Sequence, residues 1–222
     1  MDISWTTVII VILLIVVGYF IWSIVSSSSS KTSSGTTKLA TSTPLAVATS
    51  TNSFTFSTWI AIDTWAGGGN NIISTASDAS TANTFALKLG TDKNQLNLSI
   101  GTVTTTFTTV GLVPLQTWVS IIVSVNSGNS VDIYINGKLV KTIALAVTYT
   151  LPAGSFSVGG TGGSVGYIST TFDNKSTGPQ EAWTVYSSGY GGGGGGVADF
   201  FSKYKIRFAF VKDNVELSRL DI

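Results

Sequence analysis

Two stretches in the middle of the chain constrain its fold more than any other feature. Val119, Ile121, Val123 and Val125 are apolar at every second position, and so are Val131, Ile133 and Ile135 just beyond. Successive side chains of a strand point to opposite faces, so this spacing marks strands with one buried face. The second run ends in Asn136-Gly137, a pair that readily takes positive φ at both central positions of a tight turn. VDIYINGKLVKTI therefore predicts a β-hairpin.

The same alternation recurs on both sides of that hairpin. Phe54, Phe56, Ile60 and Ile62 alternate with Thr55, Ser57, Trp59 and Ala61; Phe85, Leu87 and Leu89, then Leu96, Leu98 and Ile100, repeat the pattern. Near the C-terminus KYKIRFAFV sets Tyr204, Ile206, Phe208 and Phe210 against Lys205 and Arg207. Short strands separated by frequent turn signals predict an all-β, two-sheet antiparallel sandwich, here over residues 53–222. One short helix is expected: Thr177 or Ser176 can cap it, Pro179 and Glu181 suit its first turn, and Ala182, Val185 and Tyr186 share a face. Gly189 can end it in a left-handed conformation.

The front of the chain reads differently. Val8 to Val25 is an uncharged run, VIIVILLIVVGYFIWSIV, long enough with its flanks to span a hydrocarbon slab of about 30 Å as a transmembrane helix. Trp5 at one end and Tyr19 and Trp22 near the other suit the membrane interfaces. The competing reading, a cleaved signal peptide, fits less well, because residues 1–7 carry no Lys or Arg and the apolar run is too long. Lys31 and Lys38 follow the run, which favours a cytosolic C-terminal domain. Residues 26–52 are rich in Ser and Thr and are expected to be an extended linker, or a glycosylated stalk if they face outward.

Composition restricts the chemistry. The chain has no Cys and no His, so imidazole proton shuttles, thiolate nucleophiles, disulfides and Cys/His metal sites are excluded. Net charge is +1 and only 10% of residues are charged, with the basic ones scattered, so no electrostatic track for nucleic acid exists.

FTFSTWIAI, QTWVSIIVSV followed by VDIYINGKLVKT, SFSVGG, and GYISTTFDNKSTGPQEAWTVYSSGYG resemble the laminin-G-like branch of the concanavalin A-like lectin/glucanase superfamily, whose fold is a jelly roll of two antiparallel sheets. The wider arrangement (apolar run, Ser-rich segment, laminin-G-like domain, GPQEAW, glycine run and YKIRFAFVKDNVELSRLDI) is similar to membrane-linked virion proteins of large double-stranded DNA viruses of algae and protists. That resemblance implies a minor capsid protein joining the internal virion membrane to the icosahedral shell. Its partners would be membrane lipid and other capsid proteins, with the C-terminal domain on the cytosolic, capsid-facing side.

Glycosidases on such a sandwich need two carboxyl groups on opposite sides of a sugar bond. The domain holds two glutamates, Glu181 and Glu216, and lacks an E-x-D-x-E strand, so no enzyme is expected. No cofactor is expected either. Calcium, which some relatives use, would need loop oxygens such as those of Asp63, Asn70 and Asp78, which form no clustered acidic run. Trp65, before Gly67-Gly68-Gly69, with Tyr167 and Tyr190, are the candidates for stacking on a glycan, although aromatic rings serve more often in packing. The run Gly191 to Gly196 lacks a following G-K-[ST] and reads as a loop. Asn97-Leu98-Ser99 and Asn174-Lys175-Ser176 are acceptor sequons that matter only on a lumenal or extracellular side. Two functions remain: a membrane-anchored structural protein, or a membrane-anchored carbohydrate-binding protein facing outward.

Overall fold

The computed structural model describes residues 15, 18, 19, 31–75, 85–101, 113–191, 207–212 and 215–221. The chain divides into two compact units, Ser29–Tyr190 and a second made of Met1–Ser28 with Gly191–Ile222.

The first unit is a two-sheet antiparallel sandwich with one short helix. Its strands are β1 (Thr32–Lys38), β2 (Thr43–Val47), β3 (Phe54–Thr64), β4 (Asn71–Thr75), β5 (Phe85–Leu89), β6 (Leu96–Ile100), β7 (Trp118–Asn126), β8 (Ser130–Ile135), β9 (Lys138–Ala144), β10 (Gly154–Val158) and β11 (Val165–Asp173). A six-stranded sheet runs β1-β11-β3-β7-β8-β9, and a five-stranded sheet runs β2-β10-β4-β5-β6. Helix α1 (Pro179–Ser187) follows β11.

The alternation seen in the sequence selects what lies between the sheets. Phe54 and Phe56 of β3 and Phe172 of β11 meet Phe85 of β5 and Phe156 of β10. Phe56 lies 4.9 Å from Phe85 and 5.5 Å from Phe156 between ring centroids, and Phe54 meets Phe85 edge-on at 5.8 Å. These are the tilted and T-shaped arrangements that ring quadrupoles favour. The expected hairpin is β8–β9, and both turn residues have positive φ, 49° at Asn136 and 72° at Gly137. The Asn136 side chain accepts the Ser120 N–H at 3.0 Å, and the Asn136 N–H donates to the Ser120 carbonyl at 2.8 Å, so the turn is also tied to β7.

Three expectations require correction. Residues 26–52 are not a plain linker, because β1 and β2 lie inside that range. β1 pairs with β11 through a bulge between Ser33 and Thr36, and β2 pairs with β10. Leu39, Leu45 and Val47 plug into the core, so three isolated apolar residues suffice once β-branched threonines supply an extended backbone. FTFSTWIAI therefore lies in the third strand of the sandwich.

The sandwich also does not extend over 53–222. β12 (Arg207–Lys212) and β13 (Val215–Asp221) form a two-stranded antiparallel sheet of their own in the second unit. Only two residues separate them, so the nearer partner costs less chain entropy than a distant sheet edge.

The helix is capped differently from expectation. Its N-cap is Gly178, whose N–H donates to Glu181 Oε2 at 3.4 Å, while the Thr177 N–H donates to Ser124 Oγ at 2.7 Å. The transmembrane segment Val8–Val25 lies outside the described residues except for Ile15, Gly18 and Tyr19, which are helical; Trp5 and Trp22 also lie outside them. Among the described residues, no helix is long and apolar enough to cross a membrane.

Candidate functional site: the outer face of the six-stranded sheet

If β3 sends Phe54, Phe56, Thr58, Ile60 and Ile62 inward, then Thr55, Ser57, Trp59 and Ala61 point away from the core. Strand register carries that outward phase across the sheet in rows. One row is Lys38, Tyr167, Ala61 and Trp118; the next is Thr36, Ser169, Trp59 and Ser120; a third is Ser33, Thr171, Ser57, Ile122, Tyr134 and Leu139. Trp59, Trp118, Ile122 and Tyr134 are thus large apolar side chains in the phase that a solvent-facing sheet would leave polar. Something has to cover them.

Helix α1 covers half of the face. Thr55 Oγ1 donates to the Lys175 carbonyl at 2.8 Å, which, with the Thr177–Ser124 bond, seats the entry loop on β3 and β7. Ala182 is buried with Ile122 and Tyr134 beneath the helix, and Val185 packs beside them. Burial, with Asp132 nearby, raises the Tyr134 phenol above its ordinary pKa, and its hydroxyl finds no hydrogen-bond partner among the described residues. Tyr186 stacks on Trp59 with centroids 6.2 Å apart and planes 16° apart. An exposed ion pair, Lys175 Nζ to Glu181 Oε1 at 3.2 Å, adds little, since such pairs are screened by water.

Beyond the helix, Tyr190 returns to the sheet. Its ring lies flat on Trp118, centroids 3.6 Å apart and planes 9° apart, and it meets Trp59 edge-on at 6.3 Å. Its hydroxyl shares a hydrogen bond with Thr36 Oγ1 on β1. The remaining half of the face, over β1, β11 and β3, is rich in hydroxyls: Thr36 is exposed, Ser169, Thr171 and Ser57 are half-buried, and exposed Lys38 and Tyr167 stand beside them. Tyr167 is 45% exposed.

The sequence candidates therefore separate. Tyr167 and Tyr190 are brought to one face. Trp65 is not, because its indole packs against the core and its Nε1 is enclosed without an acceptor among the described residues. Trp59 and Trp118 were missed as site residues, although their place in the polar phase of two strands was the signal that could have found them. Tyr19 is described and exposed, but Trp5 and Trp22 are outside the described residues.

The calcium candidates do not converge. Asn70 is buried and committed to a latch between loops: its Nδ2 donates to Ser164 Oγ at 2.7 Å and to the Ala66 carbonyl at 3.2 Å, and its Oδ1 accepts the Ser164 N–H at 2.9 Å. Asp63 is exposed at the end of β3, and Asp78 lies outside the described residues. Among the described residues, no three acidic groups gather as a metal site would require. Asn97 is half-buried on β6, opposite Lys88.

Comparison with solved structures finds the same sandwich. The botulinum neurotoxin serotype G binding domain superposes with a TM-score of 0.52 at 11% identity, over 68% of this chain and 42% of that one. A serotype D ligand binding domain in complex with N-acetylneuraminic acid gives 0.50 at 14% identity, over 69% and 42%. Botulinum neurotoxin type C, whose cell entry is described as dependent upon interaction with two ganglioside molecules, gives 0.50 at 16% identity, over 71% and 42%. At these identities the likeness shows the fold, and the chain spans less than half the length of each neighbour. A search of curated protein sequences returns no match. Residues 33–176 match the Laminin_G_3 family model, so this chain belongs to that family within the Concanavalin A-like lectin/glucanases superfamily.

Proposed function

We propose that this chain is a carbohydrate-binding protein without catalytic chemistry, held at a membrane by the apolar run Val8–Val25. The observation that carries the reading is the hydroxyl-rich half of the six-stranded sheet beside Tyr167. There Tyr167 stands exposed beside Lys38, with Ser169, Thr171 and Thr36 close by in the register. A sugar ring offers an apolar C–H face and a rim of hydroxyls, and such a surface meets both: an aromatic face and a field of small hydroxyl donors and acceptors. Superfamily membership supports this reading. The absence of His and Cys, and a Glu181 carboxylate that is paired with Lys175, support binding without turnover.

The test is oligosaccharide binding by the detergent-solubilised chain on a glycan array, with and without calcium. Tyr167→Ala is expected to weaken binding about fivefold to tenfold, the equivalent of roughly 1–1.4 kcal/mol. An array on which neither the wild-type chain nor a Tyr190→Ala variant binds anything would remove the reading.

A second reading is favoured by a different observation. Leu139 and Val140 are 49% and 45% exposed on β9, an edge strand of the six-stranded sheet, and Trp183 of α1 is 47% exposed. An apolar strip at a strand edge suits a protein partner. In that reading the chain is a minor capsid protein of a large double-stranded DNA virus, with its sandwich on the cytosolic side linking the internal membrane to the shell. Crosslinking in purified particles would then join residues of β9 to a shell protein. Particles from which the chain is absent would sink the idea.

A further inference from the structure

The geometry points to a closed ring-binding subsite on the Trp118 face, with the Tyr190 side chain as an intramolecular plug standing where a sugar ring would bind. This rests on the carbohydrate reading above and names the place and the gate of that binding.

Three observations carry it. The first is the kind of stack: two aromatic rings avoid a close face-to-face sandwich, because their negative faces repel, and prefer offset or edge-on contact. Tyr190 nevertheless covers Trp118 almost squarely, at 3.6 Å and 9°. A saturated ring, which presents C–H hydrogens to the indole, would meet that face without the repulsion. The second is the polar contact. The Tyr190 hydroxyl reaches Thr36 Oγ1 on the exposed sheet surface, the bond that a sugar hydroxyl lying across the same rows would make.

The third is how Tyr190 is held. It sits between Gly189 and Gly191, whose φ values are +77° and +78°, and it is the last residue of the sandwich unit. A Cβ added at either glycine would meet nothing within 4 Å, so the backbone there is uncrowded on both sides of the ring. Glycine crosses readily between positive and negative φ, so two such residues form a hinge about the tyrosine. Swinging Tyr190 away would open a trough bounded by Trp118 on β7 and Tyr167 on β11, with Ala61 as its floor and Ser169 and Thr36 along its side. The two walls stand two strand spacings apart, roughly 10 Å between backbones, which is room for one sugar ring. The small side chain at position 61 keeps that floor clear.

The experiment uses the full chain in detergent micelles and a panel of neutral and sialylated tri- and tetrasaccharides, read by ligand-observed NMR and by tryptophan fluorescence. Tyr190→Ala should tighten binding of at least one panel member fivefold or more, and Trp118→Ala added to it should abolish that gain. Tyr190→Phe keeps the stack and loses the bond to Thr36. It should give a smaller gain of about twofold, and it serves if the alanine variant does not fold.

Binding by the wild-type chain that neither Tyr190 variant tightens would overturn the plug and leave the carbohydrate reading standing. No binding by the wild type or by either variant would overturn both. Binding that appears only when Tyr190 is changed would support both.

Discussion

Tyr149 is a buried phenol that reports on its surroundings through pH. It is 4% exposed within the core, and burial pushes its pKa well above the ordinary 10.0; Tyr134 is shifted in the same direction. In the unfolded chain both phenols ionise near 10, while in the fold they stay protonated to higher pH. Above pH 10 the unfolded state therefore holds fewer protons, so stability is fully present below that value and falls as pH rises toward the folded pKa values. Urea titrations between pH 8 and 11.5 should show this decline, and Tyr149→Phe should flatten it. An unchanged slope in that variant would mean that the phenol is not protected by burial.

Single positions also show where reading residues one at a time fails. Tyr167 and Tyr190 were visible as candidate ring platforms, and both lie on one face. Trp65 looked equally good beside three glycines, yet its ring turned inward, because flanking glycines say nothing about which side of the chain is wet. Trp59 and Trp118 passed unnoticed because alternation assigns the outer phase to solvent, and a helix that covers that phase becomes evident only once it is placed.

Among the elements, the β8–β9 turn depends on its glycine for two reasons at once. Gly137 has φ of +72°, and a Cβ there would sit 3.0 Å from both Trp183 Cε3 and Tyr186 Cβ, so the turn and the docking of α1 make the same demand. Gly137→Ala should cost about 1–3 kcal/mol in chemical denaturation. It should also perturb the fluorescence of Trp183; a stable variant with unchanged fluorescence would contradict the close approach. β1 and β2 pose the opposite problem, since their sequence carries almost no alternation. Threonine is β-branched and polar together, so an edge strand built from it reads as a spacer unless its pairing partner is known. A chain that starts at residue 53 loses Leu39, Leu45 and Val47 from the core. At about 1.5–3 kcal/mol each, this rivals the roughly 5–15 kcal/mol that stabilise a whole domain. Such a fragment is expected to be aggregated or molten by circular dichroism and gel filtration, whereas one starting at residue 29 should fold.

For the molecule as a whole, the strands that replace the linker shorten the tether. Between Val25 and β1 only residues 26–31 remain, at most about 20 Å of extended chain. If Val8–Val25 spans a bilayer, that length is the upper limit on the chain between the end of the span and β1. A charge at the bilayer centre costs several kcal/mol, so Val17→Arg should shift the protein from the alkali-resistant membrane fraction to the soluble one. Unchanged fractionation would remove the anchor.

The bond between Thr36 and Tyr190 joins the first strand of the sandwich to its last residue. A pull applied between those two points would not shear the Phe54–Phe156 interior. It would peel β1 from β11 one hydrogen bond at a time, after first tearing the tyrosine from the tryptophan. Mechanical failure would thus begin as a gentle unzipping at one seam, under low force, with the bulk of the sandwich still intact.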